Sequence, residues 1–169
     1  MSFYNSSLFP NFPATSKVWI YQADRFFDAQ TAERIQVKAD VFTKQWSAHK
    51  LQVNATGLVH SNLFLILVAD ESEVGVSGCS IDSSVHFIKE IEQEFELNFF
   101  DRLKIAYIDG GQLSVENAFE LIQKINSGAI NSELLVFNNT VQQLEDLNTK
   151  WLVPIAESWL SKRIEKIPA

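Results

Sequence analysis

A single cysteine, Cys79, stands among the 169 residues, and one thiol cannot close an intrachain disulfide. The fold is therefore not stapled, and nothing points to an oxidising compartment. A basic surplus is also missing. The formal net charge is −7 and the Lys and Arg residues are scattered along the chain, which argues against a nucleic-acid partner, since neutralising phosphates needs cations gathered on one face. No Lys or Arg precedes Lys17 and no apolar h-region lies before it, so no leader is expected. The longest apolar run, Leu63 to Ala69, is too short to span a bilayer. These features predict a cytoplasmic protein without membrane insertion.

Several catalytic signatures are lacking as well. No GxSxG nucleophile elbow occurs, no GxGxxG follows a strand, and no GxxxxGK[ST] loop is present to cradle ATP phosphates. His49, His60 and His86 could join Cys79 as metal ligands, but no HxxxH, CxxC or HExxH spacing supports it. No metal and no cofactor are expected on these grounds.

What is present is the mix of an ordinary globular chain, 46% apolar and 21% charged. Phe3, Tyr4, Phe9 and Phe12 with Pro10 and Pro13 predict an extended arm over residues 1–16 that lies on the body. Val18 to Tyr21 reads as a strand. Asp28 or Thr31 can cap a helix whose apolar stripe is Ala32, Ile35, Ala39, Phe42 and Trp46. Leu51, Val53, Ala55 and Gly57 alternate like a half-buried strand, and after a turn at Ser61-Asn62 the run Leu63–Ala69 reads as a central one.

A second helix follows with Ile81, Val85, Ile88, Ile91 and Phe95 at helical spacing, and then a strand at Leu103, Ile105 and Tyr107. The alternating Glu90, Glu92, Glu94 and Glu96 read as its solvated face. The order β-α-β-β-α-β is that of a ferredoxin-like sheet.

Beyond Asp109-Gly110-Gly111, Ser114 can cap a helix carrying Val115, Ala118, Phe119, Ile122 and Ile125, with Gly128 at its end. A strand at Leu134–Phe137, a helical turn opened by Thr140 and a last helix begun at Pro154 complete the pattern, with Trp151, Trp159 and Leu160 as anchors. The fold class is thus α+β. A ferredoxin-like βαββα(β) body covers 17–109, and a C-terminal α+β extension covers 110–169.

The candidate chemistry gathers at one helix start. On a helix, Cys79, Asp82 and His86 fall within roughly 60° of one another, flanking the buried stripe. Asp82 and His86 are four apart and could pair. A thiol near a helix N-terminus has its thiolate favoured by the unbonded N–H groups. Those N–H groups, with the neighbouring serines, also suit a small anion. Gly78, Cys79, Ser80, Asp82, Ser83 and His86 are the ligand-binding candidates. Against both stands a purely structural alternative, in which Cys79 fills space, the serines and Asp82 are caps, and His86 only hydrogen-bonds.

Two resemblances extend this reading. VWIYQADRFF (Val18–Phe27), WSAH (Trp46–His49), GCSIDSSVHFIKE (Gly78–Glu90), VFNN (Val136–Asn139) and ESW (Glu157–Trp159) resemble a family of short, uncharacterised bacterial proteins often labelled "ABC transporter ATPase". The resemblance covers most of the chain from Lys17 onward. The label implies ATP hydrolysis, for which this sequence has no lysine-bearing phosphate loop.

Tyr107-Ile108-Asp109-Gly110, Ser114–Phe137 and Trp151–Ser158 are similar to GYF-like domains, starting near residue 101. That similarity implies a protein-interaction module. Gln112-Leu113-Ser114 stands where such domains carry Gly-Pro-Phe, and Thr140–Lys150 is inserted before the late Trp.

The expectation is a non-enzymatic binding or protein-interaction domain whose partner is a small anion or a protein. The alternative is a thiol-dependent enzyme with Cys79 as nucleophile, His86 or His49 as base, and Asp82 orienting the imidazole.

Overall fold

The computed structural model describes residues 7–165. Strand β1 (Lys17–Gln22) leads into helix α1 (Ala29–Gln45), a short hairpin of β2 (Ser47–Ala48) and β3 (Leu51–Gln52), and then β4 (Asn54–His60) and β5 (Phe64–Asp70). Helix α2 (Gly78–Phe95) follows, then β6 (Lys104–Asp109), β7 (Gln112–Asn117) and α3 (Ala118–Asn126). The described residues end with β8 (Leu135–Phe137), α4 (Leu144–Lys150), β9 (Leu152–Pro154) and 3₁₀ turns at Ile155–Glu157 and Trp159–Arg163. This is a mixed α and β protein with antiparallel sheets, as the sequence predicts.

The first sheet has the order β1-β5-β4. Every residue of Leu63–Ala69 is fully buried, which is why that stretch is apolar on both faces. Since β5 is antiparallel to both neighbours, β1 and β4 run parallel with β5 between them. A ferredoxin-like order would place a fourth strand beside β1. Strand β6, the candidate by sequence order, pairs instead with β7 and β8 in a second sheet, β7-β6-β8-β9. The outer edge of β1 is met by residues 142–143: the Val18 N–H donates to the Gln142 carbonyl at 2.9 Å, and Lys17 bridges to Gln143.

The outer edge of β4 is closed by a side chain. Gln36, on α1, donates its Nε2 to the Gly57 carbonyl at 3.0 Å and accepts the Val59 N–H through its Oε1 at 2.8 Å. The amide imitates a neighbouring strand and so blunts an edge open to pairing. Gly57 makes this approach feasible, because a Cβ there would lie 3.0 Å from Ala39 Cβ and 3.2 Å from Leu67 Cδ2.

Asp28 caps α1 through the Thr31 N–H at 2.7 Å. In α2 the buried face is Ser80, Ser84, Phe87, Ile88 and Ile91, while Ile81 and Val85 are only half-buried. The stripe is rotated by one residue from the expected one at its N-terminal end. Serine can occupy those core positions because its hydroxyl is satisfied by backbone: Ser84 Oγ donates to the Ile81 carbonyl at 2.7 Å.

Four expectations for the C-terminal part are corrected. Residues 112–117 form β7 rather than the first turns of a Ser114-capped helix. Gly110 and Gly111, with φ of 54° and 82°, make the two-residue turn that folds β7 back on β6, and the helix starts at Ala118 with Asn117 as its cap. Phe119 is consequently exposed. Thr140 opens no helix, since α4 begins at Leu144. Pro154 ends β9, and among the described residues only 3₁₀ turns follow it. Trp159 is exposed rather than an anchor, whereas Trp151 and Leu160 are buried.

In the arm, Phe9 is buried and Phe12 packs against the same cluster; Phe3 and Tyr4 lie outside the described residues. The largest apolar cluster runs across residue 110, joining Phe64, Ile66 and Ile88 to Phe137, Leu144 and Trp151. A polar chain makes the same crossing. Trp151 Nε1 donates to Asn139 Oδ1, Asn139 Nδ2 to Gln22 Oε1, and Gln22 Nε2 to the Lys104 carbonyl, at 2.9, 2.8 and 3.0 Å.

Candidate functional site

Cys79, Asp82, Ser83 and His86 lie on one flank of α2 and line an open groove between α1 and α2. The groove has a volume of about 850 Å³. Its floor is Phe42, Phe87 and Ile91, with the Phe42 and Phe87 rings stacked at 4.4 Å between centroids. The opposite wall belongs to α1 and carries Val37 and Val41, which are 57% and 50% exposed. Such exposure is notable for two β-branched apolar residues one helical turn apart on one wall.

The start of α2 is fixed by a capping box. Ser77 N–H donates to Ser80 Oγ at 2.7 Å, and Ser77 Oγ accepts the Ser80 N–H at 3.4 Å. From below, Trp46 Nε1 donates to the Ser80 carbonyl at 2.8 Å. The hydroxyl hydrogens are committed too, with Ser80 Oγ donating to the Ser77 carbonyl and Ser83 Oγ to the Ser80 carbonyl, at 2.8 and 2.7 Å. Ser80 is buried, so among the ligand-binding candidates it faces inward while Gly78, Cys79, Asp82, Ser83 and His86 face solvent. For an anion this leaves the N–H groups of Gly78 and Cys79, at the first helical positions.

The residues of the thiol reading share a surface without forming a hydrogen-bonded triad. His86 Nδ1 lies 2.8 Å from the backbone carbonyl of Asp82, and a carbonyl can only accept, so that nitrogen carries the proton. The ring is held by backbone rather than by the Asp82 carboxylate. Cys79 is exposed. Seven residues of helix put Cys79 and His86 about 10.5 Å apart along the axis, and the His86 ring is tied one turn away, at Asp82. His49 lies elsewhere, in the turn between β2 and β3 with φ 51°, and does not line the groove.

His60 is half-buried against the Trp151 ring at 5.6 Å, and burial pushes its imidazole below the ordinary value. Among the described residues, no three His, Cys, Asp or Glu side chains are placed to hold a metal ion, and no helix is long and apolar enough to cross a membrane.

The charges around the groove are unevenly matched. Lys38 pairs with Glu94 at 2.7 Å, and Arg34 reaches the same carboxylate at 2.8 Å. Lys38 is the principal group holding the Glu94 carboxyl below its usual range. Asp82 and Glu90, on the facing wall, have no ion-pair partner among the described residues. Sequence reasoning nominated the α2 wall and missed the α1 wall. The available signal was Val37 and Val41, two valines four apart that fall outside the stripe Ile35, Ala39, Phe42.

Comparison of the chain with family models, with curated proteins and with solved structures found no match.

Proposed function

We propose that the chain is a non-enzymatic binding domain that engages a protein partner through the groove between α1 and α2. The observation that carries this reading is the apolar wall of Val37 and Val41 left open beside a floor of Phe42, Phe87 and Ile91. Apolar surface gathered in a concavity is the usual mark of an interaction site. The resemblance of the C-terminal part to GYF-like interaction modules fits that role. So does a cytoplasmic setting, where an exposed thiol such as Cys79 stays reduced. The β1-β5-β4 order would then be the three-strand part of a ferredoxin-like body with α1 and α2 laid on it. A small anion held by the Gly78 and Cys79 N–H groups is the lesser form of the same reading.

The thiol-enzyme reading is supported by one observation, the exposure of Cys79 in the same groove as His86. Two measurements separate them. Selection of peptides from a displayed random library should yield binders that lose at least tenfold in affinity to Val41→Glu, because that change puts a carboxylate in the apolar wall. Alkylation of Cys79 at neutral pH should proceed no faster in the folded protein than in denaturant. Binders indifferent to Val41→Glu would remove the groove from the account. A folded-state alkylation rate raised tenfold or more would favour the enzyme.

A further inference from the structure

Resting on the groove reading above, we infer that the partner is a cationic amphipathic helix of about three turns, with apolar residues toward Val37, Val41 and Phe87 and Lys or Arg toward Asp82 and Glu90. The shape of the site selects a helix. Both walls are helix flanks, so their backbone groups are already bonded within α1 and α2, and an extended segment lying there would find no backbone partner. A helix brings its own hydrogen bonds and offers anchors at i, i+3, i+4 and i+7. From Val37 to Gln45 the α1 wall rises about 12 Å, and from Cys79 to Ile91 the α2 wall rises about 18 Å, which spans roughly three helical turns. The half-buried Phe42 and the exposed Val37 and Val41 would meet such anchors as ridges meet grooves.

The sign of the charge follows from the rim. Of the groups facing the groove, Lys38 is neutralised by Glu94, Gln45 and Ser83 are uncharged, His86 donates its Nδ1–H to backbone, and Asp82 and Glu90 stand unpaired among the described residues. A partner with Lys or Arg flanking its apolar stripe would complement them. A second copy of this chain fits poorly, since each carries a formal −7, and the same charge opposes an anionic lipid surface.

The test uses the full chain and two synthetic peptides of sixteen residues with one Leu stripe, the first with Lys and the second with Glu on the polar face. Fluorescence anisotropy at low salt is expected to show binding of the Lys peptide and at least tenfold weaker binding of the Glu peptide. Asp82→Asn with Glu90→Gln should weaken the Lys peptide about threefold to tenfold and flatten its salt dependence, while leaving far-UV circular dichroism unchanged. Val41→Glu, in the opposite wall, separates the two readings. If Val41→Glu abolishes binding but the charge-neutral pair changes nothing, the groove stands and the cationic partner is wrong. If the Lys and Glu peptides bind alike, the cationic partner is also wrong. Should neither variant affect a peptide that binds, the groove itself is not the site.

Discussion

Trp151→Ala is expected to cost about 3–5 kcal/mol of unfolding free energy, a large fraction of the roughly 5–15 kcal/mol that a domain has. Trp151 is 3% exposed. Its ring lies 4.9 Å from Phe137 of β8 and 5.0 Å from Phe64 of β5, so it fills the space where the two sheets meet. Its Nε1–H also begins the polar chain through Asn139 and Gln22 to the Lys104 carbonyl. Truncation would open a cavity between the sheets and leave Asn139 Oδ1 without its donor. Trp151→Phe keeps most of the volume and should lose about 1–3 kcal/mol, the penalty of that acceptor. Urea unfolding followed by far-UV circular dichroism and by tryptophan fluorescence measures both. The two probes should report one shared transition, because residues on either side of 110 contribute to one apolar cluster. Two separated transitions, or a Trp151→Ala loss below about 1 kcal/mol, would show that the extension folds by itself.

Trp46→Ala should be similarly damaging, at about 3–5 kcal/mol, but its second effect is local. Trp46 is 2% exposed, packs on Trp19 and Phe42 at 5.4 and 5.3 Å, and holds the start of α2 through the Ser80 carbonyl. Hydrogen exchange of the amides at 80–84 should accelerate in the alanine variant more than that of β5, whose stability is global. Trp46→Phe should cost only about 0.5–1.5 kcal/mol, because the Ser80 carbonyl keeps the Ser83 hydroxyl and is not orphaned. Equal losses from phenylalanine and alanine would mean that the hydrogen bond, and not the packing, dominates at this site.

How much of this was legible depended on whether a residue's local chemistry agreed with its tertiary role. Asp28, Ile35 and Ala39 follow helical rules, and Leu63–Ala69 is apolar throughout, so α1 and β5 could be read directly. Ser80 and Ser84 could not, because a serine satisfied by its own helix backbone is indistinguishable in sequence from a solvated one. Ser114 to Asn117 suggested a helix start, but the Gly110-Gly111 turn and pairing with β6 overrode that local preference. The α2 half of the candidate groove was visible in Cys79, Asp82 and His86. Its α1 half was not, because Val37 and Val41 acquire meaning only once α2 is placed alongside them.

The most direct test of the groove reading uses the position of the sole cysteine. Cys79 is exposed and lines the groove, so any occupant must cover it. The rate of Cys79 alkylation should fall at least tenfold when the protein is saturated with a selected binding peptide, and recover when the peptide is competed away. An unchanged rate at saturation would place the binding surface elsewhere and contradict the account.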